Sequence, residues 1–152
     1  MVKQTDSMFA ATDTSAADSA AIHKSMQGNK GKDTRPELIV RKMLREAGYP
    51  GYRLHWKKAP GKPDIAYPGR KIAIFVNGCY WHRHPGCNLA YTPKTNQYFW
   101  INKFEDTVER DKRNYQQLEE AGWKIFVIWE CELGTSGEHC VIDSIINSFA
   151  AG

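Results

Sequence analysis

Two thiols, two imidazoles and two large aromatics crowd into the run Asn77-Gly78-Cys79-Tyr80-Trp81-His82-Arg83-His84-Pro85-Gly86-Cys87. A packed core rarely needs that mixture, so this run constrains the fold more than any other stretch. Cys79, His84 and Cys87 follow the spacing C-x4-H-x2-C, and Cys131 closes an apolar run far downstream. Together they offer the three-Cys, one-His ligand set of a tetrahedral structural zinc. The plainer alternative is a set of buried reduced thiols beside a satisfied histidine. His82 is then left over. Imidazoles titrate near physiological pH, and one held beside a rigid metal knuckle suits proton transfer; a phosphate contact is its simpler role.

With 152 residues, 41% apolar and 12% aromatic, the chain can bury one good core, and a single domain is expected over residues 26–152. Residues 1–25, rich in Ala, Ser, Thr and Asp without apolar periodicity, read as a mobile leader. Lys and Arg number 21 against 17 Asp and Glu, a net +4 that leans mildly toward polyanions. Residues 1–21 hold three Asp against one Lys, so the rest is more basic than the total suggests. No window is apolar enough for a membrane span, and the N-terminus lacks the apolar centre of a secretion signal. A cytoplasmic location is expected, where cysteines serve as thiols or metal ligands rather than disulfides.

Thr34 and Glu37 form a capping-box pattern with Pro36 in the first turn, followed by an apolar face through Ile39, Met43 and Ala47 that ends at Gly48. Tyr52 to Trp56 reads as extended, Asp64 to Tyr67 as a short strand, and Lys71 to Val76 as a buried strand. Between Thr95 and Ala121, Trp100, Phe104, Val108, Tyr115 and Leu118 recur at helical spacing, and Gly122 supplies the stop. Trp123 to Trp129 then suits a central strand and Val141 to Phe149 a closing helix. The order is α/β: helix, three strands, helix, strand, helix, as in a mixed β-sheet flanked by helices.

Asp64 follows Pro63 at a strand start and faces the end of the next strand near Val76 and Asn77. A Pro-Asp entering a hairpin is the skeleton of the metal site in restriction-type nucleases, where Mg²⁺ neutralises phosphate and acidifies a water. In that pattern the second strand supplies a carboxylate and then a Lys, but those places here fall around Val76, Asn77 and Gly78. A main-chain carbonyl remains available for metal, and His82 can stand in for the Lys. Taken alone, Asp64 is as readily a turn residue after Pro63.

Lys32-Asp33-Thr34 through Glu37, Pro60-Gly61-Lys62-Pro63-Asp64, Asn77 to His82, Phe99-Trp100, Asn102-Lys103, Arg110-Asp111 and Val127 to Cys131 stand in one order along the chain. With these motifs the chain, from about Met26 to Leu133, resembles the very-short-patch-repair DNA mismatch endonucleases, bacterial enzymes that nick DNA beside thymine-guanine mismatches. The resemblance implies a restriction-endonuclease-like fold of the PD-(D/E)xK type. It implies structural zinc on Cys79, His84, Cys87 and Cys131, and Mg²⁺-dependent hydrolysis 5′ to the mismatched thymine. By position it makes Asp64 the metal-binding aspartate, Val76 the donor of a backbone carbonyl, His82 the catalytic histidine and Glu37 the active-site helix carboxylate. Tyr80, Trp81 and Trp100 match aromatics that intercalate into the base stack. It further implies a monomer acting on double-stranded DNA with a T:G mismatch, with mismatch-repair proteins as further partners. Asn77 departs from it, standing where some members carry a second histidine, and Gln27 to Gly31 differ from the usual Arg-containing start.

A mismatched pair stacks poorly, so inserting a flat side chain there costs less than elsewhere. Tyr80 and Trp81, anchored between Cys79 and His84, suit that task; Trp100 also fits as helix core. Lys30, Lys32, Lys57, Lys58, Lys62, Arg83, Lys94 and Lys103 are candidates to neutralise phosphates. Glu37 is explained equally by its cap. Two other functions stay open: a zinc-stabilised binder of distorted DNA that does not cut, and a restriction-linked nickase on the same fold.

Overall fold

A computed structural model of the chain describes residues 32–134 and 138–151; the expected leader, Gln27 to Gly31 and Lys30 lie outside the described residues. Thr34 caps α1 (Arg35–Glu46), its hydroxyl accepting from the Glu37 N–H at 3.4 Å. The Glu37 carboxylate accepts from the Asp33 N–H at 3.0 Å and from the Thr34 hydroxyl at 3.1 Å. The box thus closes one residue earlier than the bare pattern predicts, with Asp33 in the left-handed region (φ 57°). Val40 and Leu44 are fully buried, and Gly48 ends the helix at φ 95°.

There follow β1 (Arg53–Leu54), β2 (Ile65–Tyr67), β3 (Ile72–Asn77), α2 (Gln97–Glu120), β4 (Lys124–Trp129), a 3-10 turn at Glu130–Glu132 and α3 (Glu138–Ala151). The expected order of elements holds. The sheet runs β1-β2-β3-β4, antiparallel at the first two pairings and parallel between β3 and β4. A tight turn suffices between β2 and β3, whereas the parallel step needs the α2 crossover. The long extended segment expected at Tyr52 to Trp56 contracts to two paired residues, because His55 turns left-handed at φ 46°. Its N–H still donates to the Asp64 carbonyl at 3.1 Å.

β3 is buried along its whole length, which explains its unbroken apolar run. Ile72, Ile74 and Val76 pack against Val40 and Leu44 of α1 and Ile142, Ile145 and Phe149 of α3. Ala73 and Phe75 point the other way, onto Leu118 and Tyr115 of α2. The β2–β3 pairing of Ile65 with Ile74 brings Asp64 to the end of the sheet where β3 finishes at Asn77. The β3–β4 pairing of Asn77 with Trp129 brings Cys131 to the same end. Polar chemistry therefore collects where three strand ends meet. Among the described residues no helix is long and apolar enough to cross a membrane.

Candidate active site

Asp64 spans the hairpin: its Oδ2 accepts from the Val76 N–H at 2.8 Å. Burial pushes its carboxyl up to about 6, with the Val76 hydrogen bond and the nearby His55 and His82 acting against the rise and Glu37 adding to it. Glu37, His55 and His82 thus all act electrostatically on one carboxyl.

The link from Glu37 to Asp64 runs through two residues, Arg41 and His55, to which the sequence motifs assign no role. The Arg41 Nη2 donates to Asp33 Oδ1 at 2.7 Å and to Glu37 Oε1 at 3.2 Å, and lies 3.3 Å from His55 Nε2. His55 Nδ1 is 3.9 Å from Asp64 Oδ1. His55 Nε2 also lies 3.6 Å from Asp33 Oδ1 and 3.5 Å from Glu37 Oε1, so the ring bridges this acidic cluster and Asp64. Donor atoms of Asp33, Glu37 and His55 lie within 4.8 Å of one another, in the manner of a metal site. The Arg41 guanidinium already bonds both carboxylates, so this trio has its cation. Arg41 sits four residues after Glu37 between the buried Val40 and Leu44, and an arginine at a buried helix position is the signal that marks it.

His82 lies in the turn after β3, its N–H donating to the Gly78 carbonyl at 3.1 Å. Its Nδ1 is 2.6 Å from Asp111 Oδ2 in the middle of α2. Asp111 stands in the sequence only as half of an Arg-Asp pair. Its signal is placement: it follows the buried Phe104 and Thr107 at helical spacing, on the face where an acid is unusual. Asn77 is buried and donates through Nδ2 to the Tyr115 hydroxyl at 3.0 Å, while burial pushes that phenol up to about 12. The amide thereby fixes α2 to the end of β3.

Cys79, His84, Cys87 and Cys131 bring their ligand atoms within 4.8 Å of one another. His84 Nδ1 lies 3.6 Å from Cys79 Sγ and 3.3 Å from Cys131 Sγ, and all four cysteines of the chain are free thiols. Cys79 is fully buried, and burial pushes its thiol up to about 12. Three soft sulfurs and one imidazole nitrogen fit a tetrahedral soft cation, which would draw off the protons that burial otherwise retains on Cys79 and Cys131. The His84 ring stacks on Trp129 at 4.3 Å and 9°, and Glu130 Oε1 accepts from the Cys79 N–H at 2.9 Å. Such outer contacts orient ligands. Cys140 is exposed on α3 and takes no part.

Beside this cluster, Tyr80 lies 5.1 Å from Trp81, 6.2 Å from Trp100 and 5.1 Å from Phe104 by ring centroids. Tyr80 and Trp81 are half-buried, whereas Trp100 is buried in the same group. Tyr98, 83% exposed, and Phe99, 41% exposed, extend this aromatic surface along the start of α2. Of the expected phosphate contacts among the described residues, Lys32, Lys57, Lys58, Lys62, Lys94 and Lys103 are exposed, and Arg83 is not.

The family model of the DNA mismatch endonuclease Vsr matches residues 14–89. A type II nicking enzyme of Xanthomonas oryzae is 44% identical over 112 residues, covering 74% of this chain and 81% of the relative. A second, from Neisseria meningitidis, is 44% identical over 102 residues, covering 67% and 71%. The DNA mismatch endonuclease Vsr of Escherichia coli is 35% identical over 116 residues, covering 76% and 73%. With Asp64, His82 and the Cys/His cluster collected at one end of a mixed sheet, the chain belongs to the Vsr family of DNA endonucleases.

Proposed function

We propose that this chain nicks duplex DNA 5′ to the thymine of a T:G mismatch and so initiates very short patch repair. The carrying observation is the half-buried Asp64 carboxyl at the open end of the hairpin, held by the Val76 N–H at 2.8 Å with His55 at 3.9 Å and with Glu37 and His82 in electrostatic reach. In this reading the sheet is a restriction-endonuclease-like one of the PD-(D/E)xK type. Asp64 and the Val76 carbonyl would hold Mg²⁺, and hard oxygen donors at a hairpin end fit that ion. Mg²⁺, when bound, neutralises charge on the scissile phosphate and acidifies a water.

The remaining work belongs to side chains. His82, with Nδ1 committed to Asp111, presents Nε2 as the acceptor for the proton of the attacking water. Glu37, held by Asp33, Thr34 and Arg41, orients a water in the same site. Zn²⁺ on Cys79, His84, Cys87 and Cys131 is structural and does no chemistry. Tyr80 and Trp81 insert into the weakened stack, and Trp100 backs them and follows only if the group opens. The protein acts as a monomer, in the bacterial cytoplasm at the nucleoid, alongside mismatch-repair proteins.

The test is end-mapping of products on a T:G heteroduplex and its matched counterpart in Mg²⁺, with Asp64→Ala and His82→Ala alongside. A nick 5′ to the mismatched thymine, lost in both folded variants, is expected; a variant that nicks at the native rate shows that its residue is not catalytic. Two relatives at 44% identity carry the name type II nicking enzyme, which favours a second reading of a restriction-linked nickase. Equal cutting of matched and mismatched duplexes would decide for it.

A further inference from the structure

Arg83 stands between the candidate base and a candidate metal ligand, where an exposed cation would be taken for a phosphate contact. Its hydrogen bonds say otherwise. Nη1 donates to the carbonyls of Tyr80 and Tyr91, each at 3.0 Å. Nη2 donates to the Ala90 carbonyl at 2.7 Å and to Thr92 Oγ1 at 3.1 Å. Both hydrogens of each terminal nitrogen are spent, which leaves no pair for a bidentate phosphate. The flat face of the guanidinium is occupied too: its carbon lies 3.9 Å from the Phe104 ring centroid and 5.8 Å from that of Tyr80. The backbone of Arg83 is left-handed, φ 55°, an unusual conformation for a long side chain.

We propose that Arg83 is a positioning residue for base-stack insertion, a clamp that holds residues 80–92 as one body. This rests on the reading of Tyr80 and Trp81 as the wedge. The Cys/His cluster fixes the loop at Cys79, His84 and Cys87, but the arm that follows, Ala90 to Thr92, is beyond its ligands. Arg83 ties that arm back to Tyr80 and, through Phe104, ties both to α2. Tyr91, whose ring lies 5.1 Å from Tyr80, is thereby held against the wedge. A side chain presented in one conformation loses little freedom on binding, and that saving falls on the mismatched duplex, where insertion occurs. Lysine cannot replace it, having neither the fork nor the flat face.

The experiment compares wild type, Arg83→Ala and Arg83→Lys. Dissociation constants are measured on matched and mismatched duplexes without Mg²⁺ across a salt series, with metal content and hydrogen exchange of peptides covering 88–92. Both variants are expected to keep their metal and to exchange faster at 88–92. Mismatched DNA should bind at least tenfold more weakly, matched DNA less than threefold so, and the salt slope should not change. On mismatched DNA with Mg²⁺ the loss should fall mainly in KM. The clamp is overturned if Arg83→Lys binds as wild type, or if both duplexes weaken equally with a shallower salt slope, the signature of a phosphate contact. Should wild type itself not distinguish the duplexes, the wedge reading fails, and exchange at 88–92 alone then judges the clamp: faster supports it, unchanged overturns it. Arg83→Lys keeps the charge, so the comparison survives if Arg83→Ala does not fold.

Discussion

His82 and Asp111, 29 residues apart, meet at 2.6 Å across the gap between the end of β3 and the middle of α2. Only a quarter of the His82 side chain and 16% of Asp111 are exposed. A carboxylate at Nδ1 fixes the tautomer and the ring plane, leaving the Nε2 lone pair outward. Asp111→Asn keeps the size but lets an amide donate to Nδ1, which favours the opposite tautomer. We expect kcat for nicking to fall on the order of 10²-fold, with KM and melting temperature little changed. Steady-state rates on a mismatched duplex check this, and an unchanged kcat would show that Asp111 only packs α2.

In the role proposed for it, Asp64 carries a cost in stability. Its folded pKa of about 6 lies above the ordinary carboxylate value of 3.8, so the protonated form is the one that folding favours. That contribution is complete below about pH 4 and disappears as pH rises through about 6. Asp64→Asn cannot ionise and keeps an acceptor for the Val76 N–H. In Mg²⁺-free buffer the variant should gain on wild type between pH 4 and pH 6, by on the order of 1–2 kcal/mol, and hold that gain above. Urea unfolding at several pH values measures it. Catalysis moves oppositely: wild-type nicking should decline below about pH 6 as the carboxylate protonates.

How much of this is legible in the sequence follows from distance along the chain. The α1 cap, the α2 spacing and the run of β3 are local patterns, and each element forms within a few residues of its expected bounds. Cys79, His84 and Cys87 declare themselves by spacing, and Cys131 by its place after an apolar strand. The Arg41–His55 link is different. It joins residues 14 apart through a left-handed backbone that no residue type there signals, since His55 is neither Gly nor Asn. Asp111 has charged neighbours on α2 and passes for a solvated position until the His82 loop is folded onto it. Arg83 reads as a phosphate contact from sequence because exposure cannot be inferred from charge.

The Cys/His cluster joins the loop after β3 to the turn after β4, so a metal bound there, as proposed, should hold both, and its loss should loosen both. Cys131→Ser removes the distant ligand and leaves the loop ligands in place. On the proposed zinc assignment, wild type should carry one zinc per chain and the variant close to none. Melting should fall by roughly 10 °C, for a loss on the order of 3 kcal/mol. Metal analysis with calorimetry tests this, and a variant with full zinc content would assign the fourth ligand elsewhere.

Glu37 separates a cap from a catalytic group. Its Oε1 accepts from the Asp33 N–H and from Arg41 and its Oε2 from the Thr34 hydroxyl; an amide oxygen can take the two bonds at Oε1, while the amide NH2 donates to the Thr34 hydroxyl oxygen instead. Glu37→Gln therefore keeps the cap and loses the charge, at about 1–2 kcal/mol of stability for the weakened pair with Arg41. Glu37→Ala loses both, and leaves the buried Arg41 guanidinium with the exposed Asp33 as its one carboxylate beside His55, at about 3–5 kcal/mol. If Glu37 orients a water beside Asp64, the Gln variant is folded at 25 °C yet nicks at least tenfold more slowly. If Glu37 is only a cap, Gln nicks at the native rate while Ala fails through instability. Thermal melts and single-turnover rates on the same preparations distinguish the two, because only a group acting at the reaction centre separates activity from folding in the conservative variant.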